Sequence, residues 1–236
     1  MWIFKGSGDS GSSGCAPKGQ CDVDPDTHFL AVDWPASSPW VTATGGTMVP
    51  KNESALTTPG VAWGDPAPGC SGTGGGVSTL YDRPDWQQNI PNGLADPTGN
   101  RMVPDVASLA GKPGYELYAP GNPPQPEFSW QPIEGDSMTG PLWAGAMSVV
   151  KSALVGRGVM PPVLLNPALY TIASDPTTYA TVFHDIMSGS NDLYALGGCS
   201  AGPRYDQTTG LGEVVFSELA GSLAFDTLRA VPTFTR

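Results

Sequence analysis

Positive charge is scarce in this sequence: 11 Lys and Arg stand against 22 Asp and Glu in 236 residues, a net charge of −11. Nucleic acid and anionic membrane surfaces are bound through clustered positive charge, so the balance argues against partners of both kinds. Long apolar runs are missing too. The best, Pro141 to Val150, ends at Lys151, short of the ~18 residues a membrane span needs. Met1-Trp2-Ile3-Phe4 is too short to be the apolar region of a signal peptide, and the chain reads as starting in the middle of a fold. Four cysteines are too few to be the main scaffold, and they are not clustered with histidine as a zinc site requires. Disulfides in an oxidising compartment are the favoured use. The three possible pairings are not separated by sequence. Cys15 and Cys21 lie close enough for a short bridge, which would leave Cys70 to Cys199. The acidity fits a protein that works at low pH, where protonated carboxylates relieve self-repulsion, and fits a generic secreted protein equally well.

What is present is enough for one packed domain. A chain of this length buries roughly 70–75% of its unfolded surface, and 39% hydrophobic content with seven Trp and seven Tyr supports a real core. The 31 Gly and 25 Pro predict much turn and loop, without the period of collagen. Trp2-Ile3-Phe4 reads as a short buried strand before a Gly/Ser loop at 6–14. Residues 28–33 and 40–49 read as strands separated by the turn Pro35 to Pro39. A hairpin is expected around Gly114 to Tyr118. From Ser137 to about Val155 the apolar spacing predicts a buried helix that ends at Gly156 and Gly158, with shorter helices at 165–173 and 215–225. Strands mixed with helices make an α/β layered domain.

Two short motifs carry a candidate nucleophile. Gly8-Asp9-Ser10-Gly11 has the letters of the chymotrypsin-type nucleophile loop, but that fold places His and Asp upstream of the serine, and no His precedes Asp9 here. Ser137 is better placed. It follows the turn Gly135-Asp136 and opens an apolar helix, where N–H groups favour developing negative charge. A serine or aspartate at a helix start also serves simply as an N-cap. The two histidines, His28 and His184, lie in contexts unlike that of a catalytic base and read as structural.

The ordered series of segments resembles the sedolisin (serine-carboxyl peptidase) family, which includes tripeptidyl-peptidase-type enzymes. The matching pieces run from Ser7 to Gly11, through Pro35 to Thr42, Gly45-Gly46-Thr47, Gly74 to Ser78 and Val103 to Val106. They continue with Gly135 to Trp143, Leu165-Asn166-Pro167, Asp185-Ile186, and Tyr205-Asp206 through Thr209 to Gly212. The resemblance implies a subtilisin-like, doubly wound, mostly parallel sheet, incomplete on its N-terminal side. Residues 1–236 would then be the C-terminal half to two-thirds of a catalytic domain.

Carried over residue by residue, the resemblance makes Ser137 the nucleophile and Asp9 the acid of the oxyanion hole. A carboxyl donates a hydrogen bond only while protonated, which ties such a site to acid conditions. Gly6, Ser7 and Gly8 would form one wall of the pocket for the residue before the scissile bond. The family's base is a Glu and an Asp four residues apart on one helical face. This chain contains no Glu-x-x-x-Asp; Asp22 and Asp26 around Pro25 are the nearest approach. A serine without an adjacent base is a poor nucleophile. The family pattern before the nucleophile is usually Gly-Thr-Ser, whereas here it is Gly135-Asp136-Ser137. Asp136 reads either as a tolerated helix cap or as a residue that shifts the pH optimum or substitutes in part for the base.

The loop at 185–212 is rich in Asp and Gly, a composition suited to the oxygen ligands Ca²⁺ prefers. By resemblance it binds one Ca²⁺ through Asp185, the Ile186 carbonyl, the carbonyls of Gly202 and Arg204, and Asp206. Arg204 stands where the family has a second Gly. The reading is therefore a sedolisin-type acid peptidase acting on peptides or proteins, secreted or in an acidic lumen, with a missing N-terminal portion or propeptide as partner. The alternative is a catalytically inactive, calcium-stabilised or peptide-binding remnant of the same fold.

Overall fold

A computed structural model of the chain describes residues 1–14, 28–50, 60–65, 70–88, 90, 98–121 and 127–229. The strands are β1 (Phe4–Gly6), β2 (Thr42–Met48), β3 (Val61–Ala62), β4 (Gly64–Asp65), β5 (Ser71–Gly72), β6 (Gly76–Asp82), β7 (Asn100–Val103), β8 (Val106–Leu109), β9 (Tyr115–Pro120), β10 (Phe128–Ile133), β11 (Phe183–His184) and β12 (Glu213–Val214). The helices are α1 (Thr139–Gly156), α2 (Leu165–Ser174), α3 (Pro176–Val182) and α4 (Phe216–Arg229). The main sheet runs β1-β2-β8-β12-β11, with β3 added to the far end of β2. Its three central pairings, β1 with β2, β2 with β8 and β8 with β12, are parallel. β11 and β3 join antiparallel. This is the mostly parallel sheet that the family resemblance implies, within the α/β layering that the sequence pattern predicts.

One stripe of α1, Trp143, Met147, Val150 and Leu154, is buried on the sheet and against α4, where Leu219 and Leu223 meet it. Trp143 is fully enclosed, with Phe4 and Phe216 against its ring at 6.0 and 4.9 Å. Removing such a side chain costs about 3–5 kcal/mol. Residues 28–33 do not form a strand. Only Ala31 bridges, to the loop at Ser13, while Phe29 and Leu30 remain exposed. β1 starts two residues later than expected because it pairs with Thr42 to Thr44, leaving Ile3 exposed. α3 escaped the sequence reading. It starts at Pro176 behind Asp175, whose carboxylate caps Thr178 N–H at 2.8 Å.

The expected hairpin is present as β9 and β10, paired from Tyr115↔Ile133 to Pro120↔Phe128. His28 is buried and stacks on Tyr194 at 4.1 Å. Cys199 carries a free thiol, so the expected Cys70–Cys199 bridge is not formed; its sulfur faces Gln207 Oε1 at 3.0 Å instead. Cys15, Cys21, Asp22 and Asp26 lie outside the described residues. No helix among the described residues is long and apolar enough to cross a membrane.

Candidate active site

The C-terminal end of β1, the middle of β2, the segment 72–74 and the turn before α1 converge on one point. Gly72 N–H donates to Asp9 O (3.0 Å) and Gly74 N–H to Gly8 O (2.8 Å), so residues 8–9 and 72–74 run side by side. Gly74 and Gly75 are glycines for a local reason: a Cβ on either would collide with the backbone of Ser7 or Gln207. Their bare backbone thus serves packing within the chain. α1 begins at Thr139, whose hydroxyl bonds Asp136 O at 2.8 Å and Thr44 O at 3.0 Å. No side chain caps the helix, and neither Ser137 nor Asp136 acts as its cap.

Ser137 and Asp9 stand together. Gly135 has φ +133, and the place its Cβ would occupy lies 3.1 Å from Ser137 Oγ and 2.9 Å from Asp9 Oδ2. Asp9 Oδ1 accepts the backbone N–H of Asp136 at 2.7 Å. One carboxyl oxygen is thereby anchored, and both lie within 3.2 Å of that same Cβ position. Ser137 is exposed and borders a cleft of about 440 Å³ lined by Phe4, Lys5, Gly6, Gly140, Pro141 and Ala144. Among the described residues no His, Glu or Asp hydrogen-bonds its hydroxyl.

Of the three expected wall residues, Gly6 lines this cleft and its bare Cα is required, because a Cβ would strike Asp136 O. Ser7 is fully buried and its hydroxyl points away, donating to Asp136 Oδ2 at 2.9 Å. Gly8 lies over the carboxylate of Asp33, within 2.9 Å of where its Cβ would sit. Asp33 was missed by the sequence reading. It sits 3.9 Å from Lys5 Nζ, and burial raises its pKa above the ordinary aspartate value, opposed by Lys5 and assisted by the nearby Asp9. Nothing in its local sequence marks it, because the approach is made between β1 and a loop more than twenty residues away.

Asp136 is the other surprise. Its side chain is 1% exposed and faces into the protein, accepting from Ser7 and, at 3.1 Å, from Thr73 Oγ1. Oδ1 finds no hydrogen-bond partner and rests over Gly46, where a Cβ would overlap it. Burial first, and the charge of Asp9 second, hold its carboxyl well above the ordinary aspartate range, against the hydrogen bonds from Ser7, Thr73 and the Gly74 backbone.

The residues named for calcium lie in the loop after β11. Asp185 Oδ2 accepts Arg204 N–H at 2.8 Å, and Asp206 Oδ2 accepts Gly202 N–H at 3.1 Å, so both carboxylates hold the backbone of the 202–204 turn. The carbonyls of Ile186, Gly202 and Arg204 accept no hydrogen bond among the described residues, and Ile186 is fully buried. Arg204 takes φ +66, the conformation a glycine would adopt freely, with its guanidinium over the Tyr179 ring at 4.7 Å. Burial raises Asp206 to about 6. Two carboxylates and three unclaimed carbonyls are the oxygen donors a hard cation takes, so the residues present fit Ca²⁺.

No domain-family profile matches the chain. Among curated proteins it is 34% identical to kumamolisin from Bacillus sp. (strain MN-32) over 235 residues, covering 98% of this chain and 38% of kumamolisin. It is 32% identical to tripeptidyl-peptidase sed5 of Aspergillus fumigatus over 205 residues, 78% of this chain and 32% of that protein. Sedolisin from Pseudomonas sp. (strain 101) is 29% identical over 218 residues, 91% and 33% of the two chains. The chain thus spans less than two fifths of these relatives. Among solved structures, Pseudomonas sedolisin, a serine-carboxyl proteinase complexed with two molecules of pseudo-iodotyrostatin, aligns with a TM-score of 0.74 at 24% identity. That match covers 96% of this chain and 56% of the other, and it shows a shared fold.

Proposed function

Because the chain belongs to the sedolisin family, we propose that it is the nucleophile-bearing portion of a serine-carboxyl peptidase that hydrolyses peptide bonds in acid. The observation that carries this reading is that Ser137 Oγ and Asp9 Oδ2 lie 3.1 and 2.9 Å from one point, the Cβ position of Gly135. Ser137 Oγ attacks the scissile carbonyl carbon and its proton passes to a base. Asp9, protonated at Oδ2 while Oδ1 is tied to the Asp136 N–H, donates to the carbonyl oxygen as negative charge develops there. The base returns the proton to the leaving amine, and water then hydrolyses the acyl-serine.

The base is the part these 236 residues do not supply in the expected form, since no Glu is followed four positions later by Asp. A preceding segment or propeptide of the same protein is the partner this reading calls for, and an acidic lumen or the extracellular space is the setting. Bound Ca²⁺ would cross-link the 185–206 loop through Asp185, Asp206 and the carbonyls of Ile186, Gly202 and Arg204, a structural rather than chemical task.

The second reading, an inactive peptide-binding remnant, is favoured by one observation: the Ser137 hydroxyl has no basic partner among the described residues. Peptide hydrolysis at about pH 4, by the chain alone and joined to a segment carrying a Glu-x-x-x-Asp helix, separates the two. Activity that appears with the added segment and disappears in Ser137→Ala supports the peptidase. Binding without turnover in both forms supports the remnant.

A further inference from the structure

The carboxyl of Asp136 is a buried acid that the reaction outlined above does not use. Its place in the fold rules out the role of substitute base. Ser137 is exposed, whereas the Asp136 side chain is turned the other way, beneath the sheet end, with Oδ1 lying over Gly46. What it does contact is informative. Ser7, two residues before Asp9, donates to Oδ2. So does Thr73, which lies between the two glycines whose N–H groups bond residues 8 and 9. The Thr73 hydroxyl in turn accepts Gly46 N–H at 2.7 Å. β1, β2 and the 72–74 segment are therefore drawn onto one carboxyl, while the backbone N–H of the same residue holds Asp9 Oδ1.

We propose, resting on the peptidase reading, that Asp136 is a positioning residue: its inward-facing carboxyl clasps the segments on both sides of Asp9 and so fixes the direction in which Asp9 presents its donor to the oxyanion. The clasp works with the carboxyl neutral. Among the described residues, the titratable group that acts on it is Asp9. Ionised, Asp136 would be a buried carboxylate beside a second carboxylate, with one oxygen unsatisfied. As pH rises, ionisation of Asp136 adds repulsion between its carboxylate and that of Asp9, and the orientation of Asp9 loosens with it.

Two measurements test this. In the 236-residue chain, ¹³C NMR of the aspartate carboxyls should show Asp136 titrating above the ordinary aspartate range, with its midpoint falling in Asp9→Asn as the neighbouring charge is removed. In the peptidase-competent form, Asp136→Ala should lower kcat at about pH 4 by at least tenfold while KM stays within about twofold. Asp136→Asn, which keeps an acceptor oxygen and cannot ionise, should restore kcat and extend activity to higher pH. An Asp136 midpoint in the ordinary range, a midpoint unmoved in Asp9→Asn, or a wild-type kcat in Asp136→Ala would each overturn the proposal. Should the alanine variant fail to fold, Asp136→Asn and the titration decide. Absence of hydrolysis by the wild type would defeat the peptidase reading itself, while the NMR result still settles the clasp.

Discussion

Asp9 and Ser137 face one another across the empty Cβ position of Gly135, about 3 Å from each side chain. The glycine is thus part of the site's geometry, because φ +133 admits other residues only with strain and any Cβ would press on both side chains. Gly135→Ala is expected to cost about 1–3 kcal/mol in stability from the backbone alone. It should also reduce turnover far more than substrate affinity. Thermal unfolding and steady-state kinetics at acid pH check the two parts separately.

Arg101 and Asp105 form a fully buried ion pair at 2.6 Å beneath the sheet. Asp105 also accepts from Ala43 N–H at 2.8 Å, Tyr170 OH at 2.9 Å and Asn166 Nδ2 at 3.3 Å, so it joins β2, β8 and α2. Arg101→Met removes one charge and leaves the other buried, a change that costs about 3–5 kcal/mol. In a chain of this size each kcal/mol is about 2–4 °C, so Tm should drop by roughly 6–20 °C. The result should barely depend on salt, because the pair is shielded from solvent. Asp105 organises the fold, as its position between Pro104 and Val106 suggests, and takes no part in the Ser137 cleft.

The readable parts of this molecule were those written locally. The helix after Ser137 has an apolar stripe and glycine stops, and the structure ends it at Gly156 with Gly158 at φ +73. Ser137, Asp9, Asp185 and Asp206 stand in short motifs in family order; both Ser137 and Asp9 border the Cβ position of Gly135, and Asp185 and Asp206 both bond the 202–204 turn. What the sequence hid depends on approach between distant segments. The inward turn of Asp136 is set by Ser7 and Thr73, 129 and 63 residues away. Asp33 is invisible for the same reason, and so is the free thiol of Cys199, since pairing by elimination carries no geometry.

Calcium should raise the melting temperature. Among the described residues the carbonyls of Ile186, Gly202 and Arg204 accept no hydrogen bond, and burial raises Asp206 to about 6. A ligand that binds the folded state alone stabilises it by about 2.7 kcal/mol at a hundredfold excess over Kd. Calorimetry with EDTA and with added Ca²⁺ should therefore differ by several degrees, and Asp185→Asn should narrow the gap. Identical melting curves in all conditions would show that the loop holds no ion.

Asp136 also makes a prediction about pH and stability that is independent of catalysis. Its folded pKa is raised above the unfolded value because burial, and then Asp9, disfavour the charge. The folded state therefore binds the extra proton at pH values between the two, and stability falls as pH rises through that window. Below the unfolded pKa of about 3.9 the acid is neutral in both states and the effect vanishes. Asp136→Asn cannot ionise, so its stability relative to the wild type should improve steadily from about pH 4 upward, by about 1.4 kcal/mol for each pH unit until the folded pKa is passed. Urea unfolding at a series of pH values measures this difference. A constant offset between the two proteins would mean that Asp136 is ionised in the fold with a pKa close to that of the open chain.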